Sequence, residues 1–326
     1  MKYATIGTSW ITQSYIKAAK HTGLWELDAV FSRQETSAKE FAATFGVEKY
    51  YTDLTALAAD KDVVAVYIAS PNALHYEQSK QMLLAGKHVI CEKPATVTKE
   101  EYLELKALAD EKDLVYMEAI MSLHVPAFQT LQENLQKIGK IANANFRFCQ
   151  LSSKYPALKQ GSVPNIFNPA LCTGALMDLG VYNLYLIAAL YGEPKAIISS
   201  SHFLHTGADD TTSAILQYDH FLVTLICSKI AQGYAPSEIV GDEGTLTIES
   251  ISQLTGMQLH DPVHDTTTEL IESVVDRTEI MSHEARTFYQ LIADGKDNKT
   301  YEQLHKTATL VRSLCDTIRK QNNFTF

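Results

Sequence analysis

The tetrapeptide Cys91-Glu92-Lys93-Pro94 sets a lysine between an acid and a proline, directly after the apolar run from Lys87 to Cys91. That run reads as a short buried strand, so Lys93 stands at a strand's C-terminal end. In an open parallel α/β sheet this is the edge where ligands bind. An ammonium there can donate a proton or hold a substrate oxygen. The competing reading is an ordinary solvated strand-end lysine, and the neighbouring elements decide between the two.

Those elements alternate over the first 120 residues or so. Strands are expected at 3–6, 27–31, 63–69, 87–91 and 115–118, and helices at 13–22, 37–45, 54–59, from Asn72 to 85, and after Thr98. The stretch 63–69 is apolar apart from Tyr67, as a strand covered on both faces should be. Thr98 and Glu101 have the spacing of a capping box. This rhythm predicts a doubly wound parallel sheet. After residue 122 the texture changes. Alternating residues at 142–148, two runs flanking Asp219-His220, and Leu246-Thr247-Ile248 after the turn 242–244 predict a large, mainly antiparallel sheet. Helices are expected at 175–191, 283–293 and 301–320. The chain is thus read as α/β with two domains, 1–122 and 123–326.

Composition narrows the classes. A chain of 326 residues with 46% apolar content can build two cores. No uninterrupted run of 18 apolar residues is present, and the first strand begins too early for a signal peptide's apolar core. The five cysteines (91, 149, 172, 227 and 315) form no Cys-x-x-Cys pair, which argues against a zinc site or a disulfide framework and for a reducing, cytoplasmic setting. His202 and His205 lack the further ligands of a metal site, so none is expected. The formal charge of −10 disfavours nucleic acid and anionic membranes as partners.

Three segments at the same sheet edge read as a dinucleotide site. The first strand runs into Gly7-Thr8-Ser9-Trp10-Ile11-Thr12 and then a helix, whose free N–H groups can bind a pyrophosphate. Ser9 and Thr12 stand where the Gly-x-Gly-x-x-Gly pattern has its second and third glycines. The second strand ends in Phe31-Ser32-Arg33, where NAD-preferring folds carry an acid for the ribose hydroxyls. A guanidinium there suits a 2′-phosphate, so NADP(H) is expected over NAD(H). A surface pair of Arg33 with Glu35 is the alternative. Ser70-Pro71-Asn72 and His75 leave a buried strand for a helix on the same edge, where small Ser70 lets backbone approach the ribose and nicotinamide. His75 alone reads equally as a helix-start or core-edge ring.

Together these segments resemble the glucose-fructose oxidoreductase / inositol dehydrogenase (Gfo/Idh/MocA) family over nearly the whole length. The carrying residues are Ile6 to Ile11, Ile68-Ala69-Ser70-Pro71-Asn72 with His75, Glu92-Lys93-Pro94, Met117-Glu118-Ala119, Gly174 to Tyr182, and Gly241 with Gly244. The resemblance implies an NAD(P)-binding Rossmann domain followed by a substrate and oligomerisation domain. It also implies hydride transfer at C4 of the nicotinamide, pairing of subunits into a dimer or tetramer through the second sheet, and a frequently cis Lys93–Pro94 peptide. The family's catalytic lysine falls on Lys93, its carboxylate on Asp178, and its usual histidine on Tyr182. The tyrosine resembles the branch holding dimeric dihydrodiol dehydrogenase and NADP-dependent xylose dehydrogenases. That branch tends to carry an arginine shortly after Met-Glu-Ala, where this chain has Leu123.

The residue chemistry fits hydride transfer. Oxidising an alcohol needs a base for its proton, and reducing a carbonyl needs an acid for the alkoxide. A tyrosine serves both ends if an ammonium lowers its pKa from about 10. Asp178 lies one helical turn before Tyr182 on the same face, placed to orient the lysine or hold a substrate hydroxyl. Tyr155, Asn165, Phe167 and Asn168 precede that helix in a loop that could wall a pocket. The expectation is an NADP(H)-dependent oxidoreductase acting on a sugar, polyol or related hydroxy/carbonyl compound. The alternative is a non-catalytic nucleotide- or sugar-sensing regulator of the same fold.

Overall fold

A computed structural model describes residues 1–296 and 299–326, which divide into two compact units. The first unit comprises Met1–Ile120 and Asp276–Thr309, the second Met121–Val275 and Leu310–Phe326.

The first unit alternates β1 (Lys2–Ile6), α1 (Trp10–His21), β2 (Glu26–Phe31), α2 (Glu35–Thr44), β3 (Lys49–Tyr51), α3 (Leu54–Ala59), β4 (Ala65–Ile68), α4 (His75–Leu84), β5 (His88–Glu92), α5 (Lys99–Glu111) and β6 (Tyr116–Ala119). All six strands are parallel, in the order β3-β2-β1-β4-β5-β6. This is the doubly wound arrangement, with its switch point between β1 and β4. Burial on both faces explains why β4 and β5 read as nearly continuous apolar runs. Thr98 and Glu101 form the expected capping box at the start of α5. The short β3 was not anticipated, since Lys-Tyr-Tyr offers little periodicity. Lys49 from that strand reaches Asp28, Asp60 and Asp62 at 2.7, 3.0 and 3.2 Å, so an ammonium bridges these three grouped carboxylates.

The second unit holds α6 (Pro126–Leu135), β7 (Ile141–Cys149), α7 (Tyr155–Lys159), α8 (Val181–Tyr191), and β8 (Ala196–Phe203), β9 (Asp209–Gln217), β10 (Leu222–Ser228), β11 (Ser237–Gly241), β12 (Thr245–Ser250), β13 (Thr255–Asp261) and β14 (Thr266–Ile271). Eight strands form one sheet in the order β14-β13-β12-β11-β7-β10-β9-β8, antiparallel except for the β7–β10 pair. The Asp219-His220 turn joins β9 and β10, with Leu222 opposite Gln217. Ahead of α8, residues Leu176–Gly180 form a π-helical turn. The span Pro169–Tyr191 is long and apolar enough to cross a membrane by length and composition, yet 78% of its most apolar window is buried inside the protein. It is a core helix carrying Asp178 in its first turn.

Two helices close the chain, α9 (Arg277–Ala293) and α10 (Lys299–Gln321). Whereas the sequence placed all of 123–326 in the second domain, residues 276–309 return to the first unit. The reason lies in packing. Trp25 stacks on Phe288 at 5.4 Å and donates its indole N–H to the Ala285 carbonyl at 2.9 Å, which ties α9 to the first sheet's layer. The N-terminal half of α10 places His305 among aromatic rings, 2.8 Å from the Tyr102 hydroxyl and edge-on to Tyr301.

Burial pushes the His305 imidazole down to about 4, from 6.5. Between those values the unfolded chain takes up a proton that the fold refuses, so stability present at neutral pH is lost as pH falls from 6.5 toward 4. At pH 5 the loss is about 2 kcal/mol. Urea unfolding at pH 7.5 and pH 5 should show this extra loss in the wild type and not in His305→Gln. Equal losses in both would remove His305 as the cause.

Candidate active site

In the first unit, a candidate site lies at the switch point of the parallel sheet. Gly7 follows β1 with φ +112°, and a Cβ there would lie 2.6 Å from the Ala69 carbonyl oxygen at the end of β4. Only glycine gives this close approach. The Gly7 N–H donates to the Phe31 carbonyl at 3.2 Å, which ties together the ends of all three strands at the crevice. Past Thr8, Ser9 is the N-cap residue of α1, and its hydroxyl lies 3.3 Å from that of Thr12. The two residues that replace glycines therefore hydrogen-bond to each other. The first turn of α1, with Trp10 and Ile11, carries no acid, so its N-terminal dipole is available to an anion. Trp10 is 63% exposed, and the Arg277 guanidinium from α9 lies 4.9 Å from its ring centre. A glycine cradle at a helix start with a cation beside it fits a pyrophosphate group.

At the end of β2, the Ser32 N–H donates to Tyr51 O at 3.1 Å and Arg33 is exposed. Glu35 accepts from the Tyr50 hydroxyl at 3.2 Å instead of pairing with Arg33. At the end of β4, the Ser70 hydroxyl donates to Gln78 at 2.6 Å. Pro71 precedes a short 3₁₀ turn beginning at Asn72. His75 is buried, with Nδ1 2.8 Å from Pro94 O and Nε2 2.8 Å from Ser70 O. Its ring thus joins the loop after β4 to the loop after β5. Burial pushes its pKa down, against two carbonyls that favour the cation.

Lys93 follows β5 directly, and the Lys93–Pro94 peptide is cis. Beneath it, Glu92 accepts from the Tyr67 hydroxyl at 2.6 Å, and Tyr67 stacks on Tyr15 at 3.8 Å. Burial pushes the Glu92 carboxyl up, while the adjacent Lys93 charge pulls it down. Glu284 from α9 is also buried and pushed well up, first by desolvation and then by the charge of Glu92. Sequence reasoning passed over Tyr67, Arg277 and Glu284, since the last two lie some 200 residues away on a helix assigned to the other domain.

Asp178 and Tyr182 lie in the second unit. Gly180 lets the π turn approach β10 so closely that a Cβ would lie 2.9 Å from the Cys227 sulfur. Two residues beyond Cys227, on the same face of the strand, Lys229 pairs with Asp178 Oδ2. Asp209, at the start of β9, accepts from the Leu176 N–H and the Thr212 hydroxyl, both at 2.8 Å, and so anchors the π turn. Burial pushes the Asp209 carboxyl up to about 6, with the Lys229 charge among the opposing influences. Gly174, at φ +148°, leaves room for Asp209, whose Oδ1 a Cβ would strike at 1.8 Å. Tyr182 is buried with its ring edge-on to Phe148 at 5.7 Å. In the preceding loop Tyr155 packs against buried Phe167 at 6.1 Å, and the Thr173 hydroxyl donates to the carbonyls of Asn165 and Asn168. Lys229 and Asp209 were missed. Their signal was present, because Ser228-Lys229 ends an apolar strand just as Lys93 does.

Comparison with known proteins agrees with this architecture. Residues 1–120 match the model of an oxidoreductase family with an NAD-binding Rossmann fold, and residues 128–247 match a GFO/IDH/MocA C-terminal domain. The chain is 38% identical to the scyllo-inositol 2-dehydrogenase (NADP(+)) of Bacillus subtilis over 95% of each chain. It is 35% identical to mouse trans-1,2-dihydrobenzene-1,2-diol dehydrogenase over 58% of this chain and 56% of that one. Among solved structures, a 3-ketoreductase from Actinomadura kijaniata, in complex with NADP and TDP-benzene, shares the fold with a TM-score of 0.86 at 23% identity, covering 99% of this chain and 98% of that one.

The crevice makes one residue decisive. Gly7→Ala should weaken binding of a nicotinamide dinucleotide by at least about tenfold and cost about 1–3 kcal/mol of stability through backbone strain. Fluorescence titration and thermal unfolding check both. A variant with unchanged affinity would mean that the crevice does not hold the nucleotide.

Proposed function

Because this chain belongs to the Gfo/Idh/MocA family and is an NAD(P)-dependent oxidoreductase, we propose that it uses NADP(H) to interconvert a hydroxyl and a carbonyl on a sugar, polyol or related compound. The observation that carries the reading is the position of Lys93. It follows β5 at the carboxyl edge of the parallel sheet, two strands from the Gly7 crevice. Similarity to an NADP-dependent inositol dehydrogenase over 95% of the chain supports both the cofactor and the substrate class.

The nicotinamide cofactor, when bound, accepts or supplies the hydride. Gly7, Thr8, Ser9, Trp10 and Ile11 would hold the pyrophosphate at the start of α1. Ser32 and Arg33 would take the 2′-phosphate, for which a fork of guanidinium donors with no competing acid is suited. Ser70, Pro71 and Asn72 would line the ribose and nicotinamide, with His75 holding their loop to the loop after β5. Lys93 would donate to the reacting oxygen, Tyr182 would carry its proton, and Asp178 would accept from a substrate hydroxyl. Glu92 stays beneath Lys93, its carboxyl pushed up by burial and pulled down by the Lys93 charge.

A homo-oligomer formed through the eight-stranded sheet is part of this reading. Ile198 and Ile215 lie opposite each other on β8 and β9 and are exposed on one face of that sheet, which a second copy would cover. A cytoplasmic location accords with cysteines that form no disulfide among the described residues.

Lys93→Met and Tyr182→Phe should each lower kcat by about 10²–10⁴-fold while NADPH affinity changes only a few-fold. Steady-state kinetics on a panel of neutral polyols and sugars, with NADPH titration alongside, separates the two effects. Full activity in either variant would remove that residue from the chemistry. Arg33→Ala should weaken NADPH by about 10–100-fold and leave NADH nearly unchanged. An equal loss for both would sink the 2′-phosphate assignment.

A further inference from the structure

The Asp178 carboxylate has a partner that the proposed chemistry has not used. Lys229 Nζ pairs with Asp178 Oδ2, and the two differ sharply in exposure, at 3% for the lysine side chain and 30% for the aspartate. The ammonium therefore sits behind, and the pair turns a carboxylate outward. The backbone dictates this order. The Lys229 N–H donates to the Asp210 carbonyl and its own carbonyl accepts from Ser152, both at 2.9 Å, so the lysine is fixed in line with β10. Gly180 against Cys227 sets the distance between that strand and the π turn.

Two other ionisable groups feel the Lys229 charge, Asp209 from β9 and Cys227 from β10. Asp210 takes His202 Nδ1 at 2.7 Å. The Cys227 thiol is held well up by burial and stays uncharged. Lys229 is thus a buried cation whose charge is matched by acids beside it.

Resting on the oxidoreductase reading above, we propose that Lys229 is a positioning residue that fixes the Asp178 carboxylate as the acceptor for a hydroxyl of a neutral polyhydroxy substrate. A carboxylate held ionised and aimed by a buried ammonium accepts strong charge-assisted hydrogen bonds from hydroxyl donors. It gives anionic substrates no attraction, because the cation that would attract them is neutralised and covered. The pair therefore selects neutral polyols over sugar acids.

The test compares wild type with Lys229→Met and Lys229→Arg. Lys229→Met should raise KM for a neutral polyol at least about tenfold with a smaller change in kcat, and should leave NADPH affinity unchanged. The acid limb of its kcat/KM profile should move up by about one pH unit or more, since the carboxylate has lost its opposite charge. Lys229→Arg should restore most of both. Independently of any substrate, the Asp178 carboxyl resonance in ¹³C-aspartate-labelled protein, assigned with Asp178→Asn, should titrate at higher pH in Lys229→Met than in wild type. Unchanged titration and unchanged polyol KM would overturn the proposal. If the wild type binds NADPH but turns over nothing in the panel, the functional reading fails, while the Asp178 resonance still decides the role of Lys229. If Lys229→Met does not fold, Lys229→Met with Asp209→Asn removes one of the stranded carboxylates and serves the same measurements.

Discussion

Lys229, Asp178 and Asp209 are taken largely out of water together, and the second unit is arranged around that fact. Desolvation costs several kcal/mol for each ion and is offset only where partners stand close with good geometry. The offset here comes from backbone as much as from charge. Asp209 accepts from the Leu176 N–H and the Thr212 hydroxyl, and Lys229 is fixed through two strand-like hydrogen bonds. Gly174 and Gly180 remove the Cβ atoms that would force these groups apart. The π turn follows from the same demand. Its wider winding lets Leu176–Gly180 meet β10 at Cys227 while still presenting Asp178, and π turns recur at functional sites for such reasons.

The first unit solves a related problem differently. Glu92 and Glu284 are both buried, and both are pushed toward their neutral forms by desolvation. Tyr67 satisfies one Glu92 oxygen, and Lys93 supplies the nearest opposite charge. A carboxyl that resists ionisation, except when an ammonium is adjacent, ties the state of Glu92 to that of Lys93. His75 adds a mechanical link, its two ring nitrogens each 2.8 Å from a carbonyl, of Pro94 and of Ser70, across two strand exits. The loops at the carboxyl edge are thereby held as one surface, which a nucleotide site needs.

The parallel sheet was legible in the sequence because strands buried on both faces become unbroken apolar runs and helices carry caps. Thr98 with Glu101 shows this directly. Gly7 and Lys93 were legible because special backbone geometry and strand ends leave marks in the sequence. The rest was hidden by distance along the chain. Nothing near Arg277 or Glu284 says that α9 returns to the first unit; that depends on Trp25 meeting Phe288. Strand β14 carries Thr-Thr-Thr-Glu and is largely exposed, so it gives no apolar signal. Asp209 reads as a polar residue at a strand start until the fold places it under Gly174.

Leu123 shows how such hidden contacts change a functional reading. The resemblance described above implies an arginine where this chain has Leu123, and so the loss of a substrate-facing cation. Yet the second unit does contain a buried cation, Lys229, and its charge is directed into Asp178. The consequence differs from simple loss. A surface arginine would recruit anions, whereas a lysine buried behind a carboxylate is matched in charge and leaves an acceptor as the outward-facing group. In the function proposed above, an acceptor of that kind would discriminate by the hydroxyl donors a substrate offers. Specificity built on buried polar partners is strong, because a ligand lacking the donor desolvates a polar acceptor without replacing its hydrogen bond to water.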